Sequence, residues 1–304
     1  MPPDLNDITE QISLTPFQAL GIPIALIGAV FLALGAQFQS RGVTKVEEQS
    51  GVQATGGLTR AHLMALVSRP SWVLGTLMLG LAIVLQLLSL GIAPLIVVQP
   101  LGAVALVITA VVNARVTKTP LDAPSVRAIA ICVGGVGLFV LFAAVFAKET
   151  PISTRQLLTI LAILAVVLVV FGVGYAYLRR RFKAIAYILG AGVLYGFVAT
   201  LAKVVIVRIR TGDFELLTVV CIVALLSAAA LGAYFVQNAY ASGPPDLVIA
   251  GLTVVDPLVA VGIGVIVLGE ASEAPLYAVV AFVVSAAVAI FGVFQLAKFH
   301  PQIK

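Results

Sequence analysis

Nine long apolar stretches constrain the fold of this chain more than any other sequence feature. Each contains about 20 mostly apolar residues, enough to cross the hydrocarbon core of a bilayer as a helix. The predicted spans are 20–39, 72–92, 93–112, 128–147, 157–178, 184–207, 216–237, 247–269 and 276–297. With 61% hydrophobic and only 10% charged residues, the chain is also too apolar for an ordinary soluble domain. The sequence therefore predicts an all-α integral membrane protein.

A short pattern occurs twice and indicates an internal repeat. Residues 97–104 read VVQPLGAV and residues 254–261 read VVDPLVAV, so six of the eight positions agree at an offset of 157. Spans one to four then correspond to spans six to nine, with span five between them. Because corresponding spans are five apart, they cross the membrane in opposite directions. Inverted repeats around a site at the membrane midplane are typical of transporters.

The distribution of basic residues predicts the orientation, because loops rich in Lys and Arg stay in the cytoplasm. With the N-terminus outside, 13 of the 18 Lys and Arg residues lie in cytoplasmic segments, four lie outside, and Lys203 lies within a span. We therefore expect a multi-pass protein of the cell membrane with a cytoplasmic C-terminus. The predicted regions are a short extracytoplasmic N-terminus (1–19), a first four-helix repeat (20–147) with a cytoplasmic loop (40–71), a linking span (148–183), a second, inverted four-helix repeat (184–297) and a cytoplasmic tail (298–304).

A carboxylate and a proline lie near the middle of span eight. A charge at that depth is costly, which makes Asp256 the strongest candidate for a functional residue. Pro257 and its counterpart Pro100 are predicted helix breaks, because proline has no N–H to donate to the carbonyl one turn earlier. The carbonyls released are those of Thr253 and Ile96. Exposed backbone of this kind belongs where helices line a cavity enclosed by protein or filled with water.

The chemistry around Asp256 allows two interpretations. Its carboxylate, the Thr253 hydroxyl and the released carbonyl share one helical face, where they could hold a hard cation or accept a proton. In that interpretation Asp256 is the candidate metal ligand. Alternatively, Asp256 forms a structural ion pair with Lys203, near the outer end of span six.

Three glutamines are further candidates for the binding site. Gln99 is the neutral counterpart of Asp256, and its amide offers both a donor and an acceptor to a substrate. A hydrogen bond between helices is the competing interpretation. Gln86 and Gln37 interrupt apolar faces, where such residues also serve as contacts between packed helices.

Two polar residues close their spans and are related by the same offset of 157. Asn113 and Glu270 are expected to be caps at the membrane interface, and either could act as a gate residue or, with Lys203, as a charge partner.

Two segments resemble a known family. Residues 93–103, APLIVVQPLGA, resemble a segment of the NIPA-like magnesium transporters, which belong to the drug/metabolite transporter superfamily with its EamA-like fold. Residues 28–42, ending in QSRG, are similar to the family's first span and the basic turn after it. The resemblance implies a ten-helix type of fold built from inverted repeats, here short by one helix. It also implies transport of a small solute or a divalent cation such as magnesium.

Several other classes of protein are not indicated. The sequence has no Walker loop, no His/Cys metal cluster and no Ser/His/Asp arrangement, so we expect neither an enzyme nor a cofactor. Its basic residues form no patch interleaved with aromatic residues, so nucleic acid is not an expected partner. The expected partners are the lipid bilayer and a small solute or divalent cation. The oligomeric state stays open, with a homodimer among the options.

Three functions remain in competition. The leading hypothesis is a secondary transporter with alternating access around Asp256 and Gln99, moving magnesium or another divalent cation. The first alternative keeps this fold but exchanges a small organic solute for protons. The second alternative is a membrane assembly or lipid-binding protein that transports nothing.

Overall fold

The described part of the chain is helical throughout. The computed structural model describes residues 14–50, 60–116, 122–149, 151–178, 184–213, 215–242 and 245–299. Within these ranges there is no strand, and nine helices are long and apolar enough to cross a membrane. The prediction of an all-α membrane protein with nine spans is therefore confirmed for the described residues.

Eleven helices follow one another along the described chain. They are α1 (Pro16–Ala19), α2 (Gly21–Ser50), α3 (Arg60–Val67), α4 (Pro70–Ile92), α5 (Leu95–Val116), α6 (Ala123–Phe146), α7 (Thr154–Leu178), α8 (Ala184–Thr211), α9 (Leu216–Ser242), α10 (Pro245–Ile266) and α11 (Leu276–Phe299). The short helix α3 lies outside the nine spans, whereas α1 falls within the first of them, Pro16–Val43. Helix α1 begins with a capping box, in which the Thr15 hydroxyl and the Gln18 side chain each accept a hydrogen bond from the other residue's backbone N–H.

The first span is longer than its apolar run. Helix α2 continues to Ser50, so the predicted loop over 40–71 is wrong for its first eleven residues. Gln, Arg, Lys and Glu are good helix formers, and they extend the helix beyond the apolar segment. A short helix, α3, also lies within the predicted loop, and residues 51–59 lie outside the described chain.

The predicted helix breaks at Pro100 and Pro257 do not occur. Both prolines lie inside continuous helices, α5 and α10. Proline removes only one backbone hydrogen bond, and in an apolar environment no water competes for the bonds that remain. The two prolines therefore interrupt the hydrogen bonding of their helices without ending them.

The spans pack in two matching sets. Helix α2 packs on α4 and α5, and helix α8 packs on α9 and α10. Helix α5 also packs on α6, as α10 packs on α11. Three contacts join the sets, between α5 and α10, between α6 and α11 and, over a smaller area, between α4 and α8. Each contact within one set thus has a counterpart in the other.

Helices α6 and α11 approach each other at two glycines. A Cβ atom added at Gly135 would lie 2.4 Å from the backbone nitrogen of Ala289. A Cβ atom added at Gly292 would lie 2.4 Å from the backbone nitrogen of Cys132. Neither position has room for a side chain, so the two backbones are in direct contact. The second contact reproduces the first when each residue is shifted by the offset of 157.

Several chain segments meet at one end of the bundle. The Ser89 hydroxyl donates to the Gly21 carbonyl at 2.8 Å, and the Lys148 backbone N–H donates to the Glu270 carbonyl at 2.8 Å. We name this region the Lys203 end, after the buried lysine described below. It comprises residues 14–21, 91–95, 147–149, 151–153, 203–213 and 267–275. These segments belong on one side of the membrane if every span crosses it.

Candidate functional site

Five spans surround a cavity in the middle of the bundle. The cavity has a volume of about 420 Å³ and is lined by residues of α2, α4, α5, α8 and α10. Most of the lining is apolar. Its polar side chains are Gln86, Gln99, Tyr195, Thr253 and Asp256. The cavity therefore brings together four of the residues that the sequence analysis selected, from both predicted repeats.

Close packing of α8 on α10 holds Asp256 in place. A Cβ atom at Gly192 would lie 2.6 Å from the Cβ of Val255, and one at Gly196 would lie 3.0 Å from the Asp256 carbonyl oxygen. These glycines let the two helices approach to backbone contact. The position of the carboxylate is thus fixed by its own helix and by a neighbouring one.

Two side-chain atoms at the cavity are buried without a hydrogen-bond partner. They are Nε2 of Gln99 and Oδ1 of Asp256. Thr253 does not donate to Asp256 Oδ1, since its hydroxyl proton is donated to the Ile249 carbonyl at 2.8 Å. Buried polar groups nearly always have partners, and an unpaired one costs about 1–3 kcal/mol. One donor and one acceptor on residues that line the cavity are therefore unsatisfied.

Lys203 pairs with other residues, so the predicted ion pair with Asp256 is wrong. Its Nζ lies 3.1 Å from Glu149 Oε1 and 3.1 Å from Glu270 Oε1, and it donates to the Ala93 carbonyl at 2.9 Å. An ammonium group has three protons to donate, and these three acceptors use all of them. Lys203 is 1% exposed. It neutralises carboxylates at one end of the bundle, and the described lining of the cavity supplies no counter-ion to Asp256.

Glu270 follows α10 but caps the N-terminus of α5. Its carboxylate accepts the backbone N–H groups of Leu95 and Ile96, each at 2.8 Å, at the start of α5. A negative charge is favourable there because the first N–H groups of a helix lack partners within it. Gly269, with a φ of 73°, turns the chain just before this residue. Glu270 is 2% exposed, so the cap that the sequence suggested is present and is buried in the protein.

The remaining predicted residues have different positions. Gln86 lines the cavity, whereas Gln37 lies on α2 outside the lining. Asn113 lies in α5, but its side chain falls outside the described part of the structure. The gate, cap and ligand roles assigned to these residues stay predictions.

Two residues, one at the cavity and one beside Lys203, were not selected from the sequence. Tyr195 lines the cavity beside Asp256, and Glu149 contacts Lys203. Tyr195 carries no charge, so a search for charges within spans does not select it. Glu149 lies between spans, so a search for charges within spans passes over it.

The polar side chains of the cavity do not provide the ligands that a metal ion without its water would need. Among the residues that the structure describes, no three His, Cys, Asp or Glu side chains are grouped so that they could hold a metal. Asp256 is the one carboxylate in the described lining of the cavity. Magnesium prefers six oxygen ligands and gives up its waters reluctantly, so a magnesium ion here would keep most of its water.

Comparisons with known proteins do not identify a family. No family model matches the chain, and no curated protein or solved structure matches it significantly.

Proposed function

We propose that this chain is a secondary transporter that moves a small solute by alternating access. Its binding site is the central cavity, with Asp256 and Gln99 as the main polar contacts. The observation that carries the proposal is a pair of buried, unpartnered polar atoms on two residues that line this cavity, one on α5 and one on α10. A protein that only fills space in the membrane would gain stability by replacing both side chains with apolar ones.

The matching helix contacts support two inverted repeats with an EamA-like arrangement. Pairing α2 with α8, α4 with α9, α5 with α10 and α6 with α11 reproduces the main contacts within each set. Under the same pairing, the contacts between α5 and α10 and between α6 and α11 map onto themselves, as expected near a two-fold axis. The smaller contact between α4 and α8 has no comparable counterpart between α9 and α2 among the described residues. Gln99 and Asp256 are equivalent under the offset of 157, and both line the cavity. The site would then lie where the halves can rock against each other.

The ion network of Glu149, Lys203 and Glu270 is proposed as the closure of one end. It joins the turn between α4 and α5, the segment after α6, helix α8 and the segment after α10. With the proposed orientation of the protein in the cell membrane, N-terminus outside and C-terminus in the cytoplasm, this closure faces outward. Opening the cavity to that side would require these segments to separate.

The competing cargoes make different demands on the site. A divalent cation such as magnesium needs oxygen ligands, and the cavity offers a single carboxylate to it. Proton-coupled exchange of an organic solute needs one group that titrates and a space for the solute. Asp256 and the cavity of 420 Å³ supply both. The structure thus favours the organic solute over the divalent cation.

A flux assay on the purified full chain in proteoliposomes tests the proposal. We expect uptake of small amines to follow an imposed proton gradient and to exceed the uptake of empty liposomes. Magnesium flux that is insensitive to pH would instead select the divalent-cation hypothesis. If neither cargo moves faster than in empty liposomes, the protein is not a transporter of this type, and an assembly or lipid-binding role takes its place.

A further inference from the structure

The charge of the cavity wall restricts the charge of the cargo. Among its described lining residues Asp256 is charged, and none is Lys, Arg or His. The buried Lys203 cannot compensate, because Glu149, Glu270 and the Ala93 carbonyl hold it. An isolated buried carboxylate is costly unless a positive group pairs with it. A cargo with one positive charge completes this pair, whereas the carboxylate of an amino acid would enter the site without a counter-ion.

The second unpartnered atom restricts the rest of the cargo. Gln99 Nε2 is a donor, and it is buried without an acceptor. A metal ion would be repelled by this N–H group. A molecule that carries an oxygen acceptor close to its cationic group would satisfy Gln99 and Asp256 together.

The size and polarity of the cavity restrict the body of the molecule. A volume of 420 Å³ is near the lower end of the range for ligand sites, roughly 300–1,000 Å³. Ala29, Leu32, Ile83, Leu87 and Leu252 form much of the wall, and these side chains accept alkyl groups. A short hydrocarbon body therefore fits the space between the two polar contacts.

We infer that the cargo is a small organic monocation, an ammonium group with a neighbouring hydroxyl or carbonyl oxygen on a short alkyl body. Its ammonium group donates to Asp256, and its oxygen accepts from Gln99 Nε2. The inference rests on the proposed transport function and specifies the cargo of the same cavity.

Three isosteric probes and magnesium chloride test this inference by titration calorimetry on the full chain in detergent. Protonated 1-amino-2-propanol has both groups, isobutylamine has a methyl in place of the hydroxyl, and isobutanol has no charge. We expect the amino alcohol to bind roughly fivefold more tightly than isobutylamine, the usual worth of one neutral hydrogen bond. Isobutanol should bind most weakly.

Variants assign each contact. Gln99→Leu should make the two amines bind equally, and Gln99→Met serves the same purpose if the leucine variant does not fold. Asp256→Asn should weaken both amines by roughly ten- to hundredfold, as expected for a lost hydrogen bond to a charged group. Ser285→Ala is the matched control, since that buried hydroxyl donates to the Ala281 carbonyl of its own helix and lies outside the cavity.

The outcomes separate this inference from the proposed function. A preference for the amino alcohol that persists in Gln99→Leu would contradict the assignment of the acceptor. If neither amine binds and magnesium binds in a way that depends on Asp256, the inference is overturned. The protein would then be a transporter of divalent cations. If no probe binds and the flux assay also shows no transport, the proposed function itself fails.

Discussion

Asp256→Asn should fold normally and lose uptake driven by an ion gradient. The amide is nearly isosteric with the carboxylate and removes a buried charge that has no counter-ion. It can neither carry a proton nor pair with a cation, so binding of a cationic cargo should weaken by roughly ten- to hundredfold. Initial rates of gradient-driven uptake in proteoliposomes measure the loss. Exchange of cargo down its own gradient should be affected less, because the two halves can still rock around a neutral site.

The control for this variant makes the same chemical change elsewhere. Asp213 is exposed after α8, and its carboxylate accepts a hydrogen bond from the Thr211 hydroxyl at 2.9 Å. Asp213→Asn should transport at the wild-type rate. Normal gradient-driven transport by Asp256→Asn would show that the carboxylate at the cavity has no role in coupling.

Lys203→Met should destabilise the protein strongly. The substitution leaves the carboxylates of Glu149 and Glu270 without a positive partner, and Glu270 is 2% exposed. Removing one member of a buried ion pair typically costs about 3–5 kcal/mol. We expect a loss of that order in the free energy of unfolding, measured in mixed micelles of detergent and SDS.

An exposed ion pair at the same end provides the comparison. Lys148 pairs with Glu273, and their side chains are 53% and 67% exposed. Exposed pairs contribute little, so Lys148→Met should cost less than about 1 kcal/mol. The double variant Lys203→Met/Glu270→Gln should recover part of the stability, because the neutral amide no longer needs a counter-ion. Equal stability of the two single variants would mean that Lys203 is not a structural anchor.

The spans were predictable because the length of an apolar run determines whether a helix can cross a bilayer. Each of the nine predicted spans begins or ends within two residues of its helix. The extension of α2 to Ser50 was missed because hydropathy does not separate a polar helix from a polar loop. The prediction that the helices break at Pro100 and Pro257 was wrong, because proline removes one hydrogen bond and the surrounding helix retains the rest.

The sequence predicted the polar residues of the cavity better than the ion network of Glu149, Lys203 and Glu270. The offset of 157 related Gln99 to Asp256, and both line one cavity. No pattern related Lys203 to Glu149, which lies outside the spans, or to Glu270, which is 67 residues away. Contacts of this kind depend on how helix ends meet in space. Neither the hydropathy nor the spacing of residues along the chain predicts which ends meet.

The most direct test of alternating access is the labelling rate of Thr253→Cys from each side of the membrane. Thr253 lines the cavity, whereas the native Cys132 and Cys221 are each 0% exposed and should stay unlabelled. The reagent is a small, membrane-impermeant cationic thiosulfonate, applied to vesicles of either orientation. The labelling rate of Thr253→Cys is compared with that of the double variant Thr253→Cys/Glu270→Gln, in which the closure at the Lys203 end is weakened. Alternating access predicts opposite changes: labelling from the Lys203 end becomes faster, and labelling from the other end becomes slower. Rates that stay unchanged, or that change in the same direction from both sides, would contradict it.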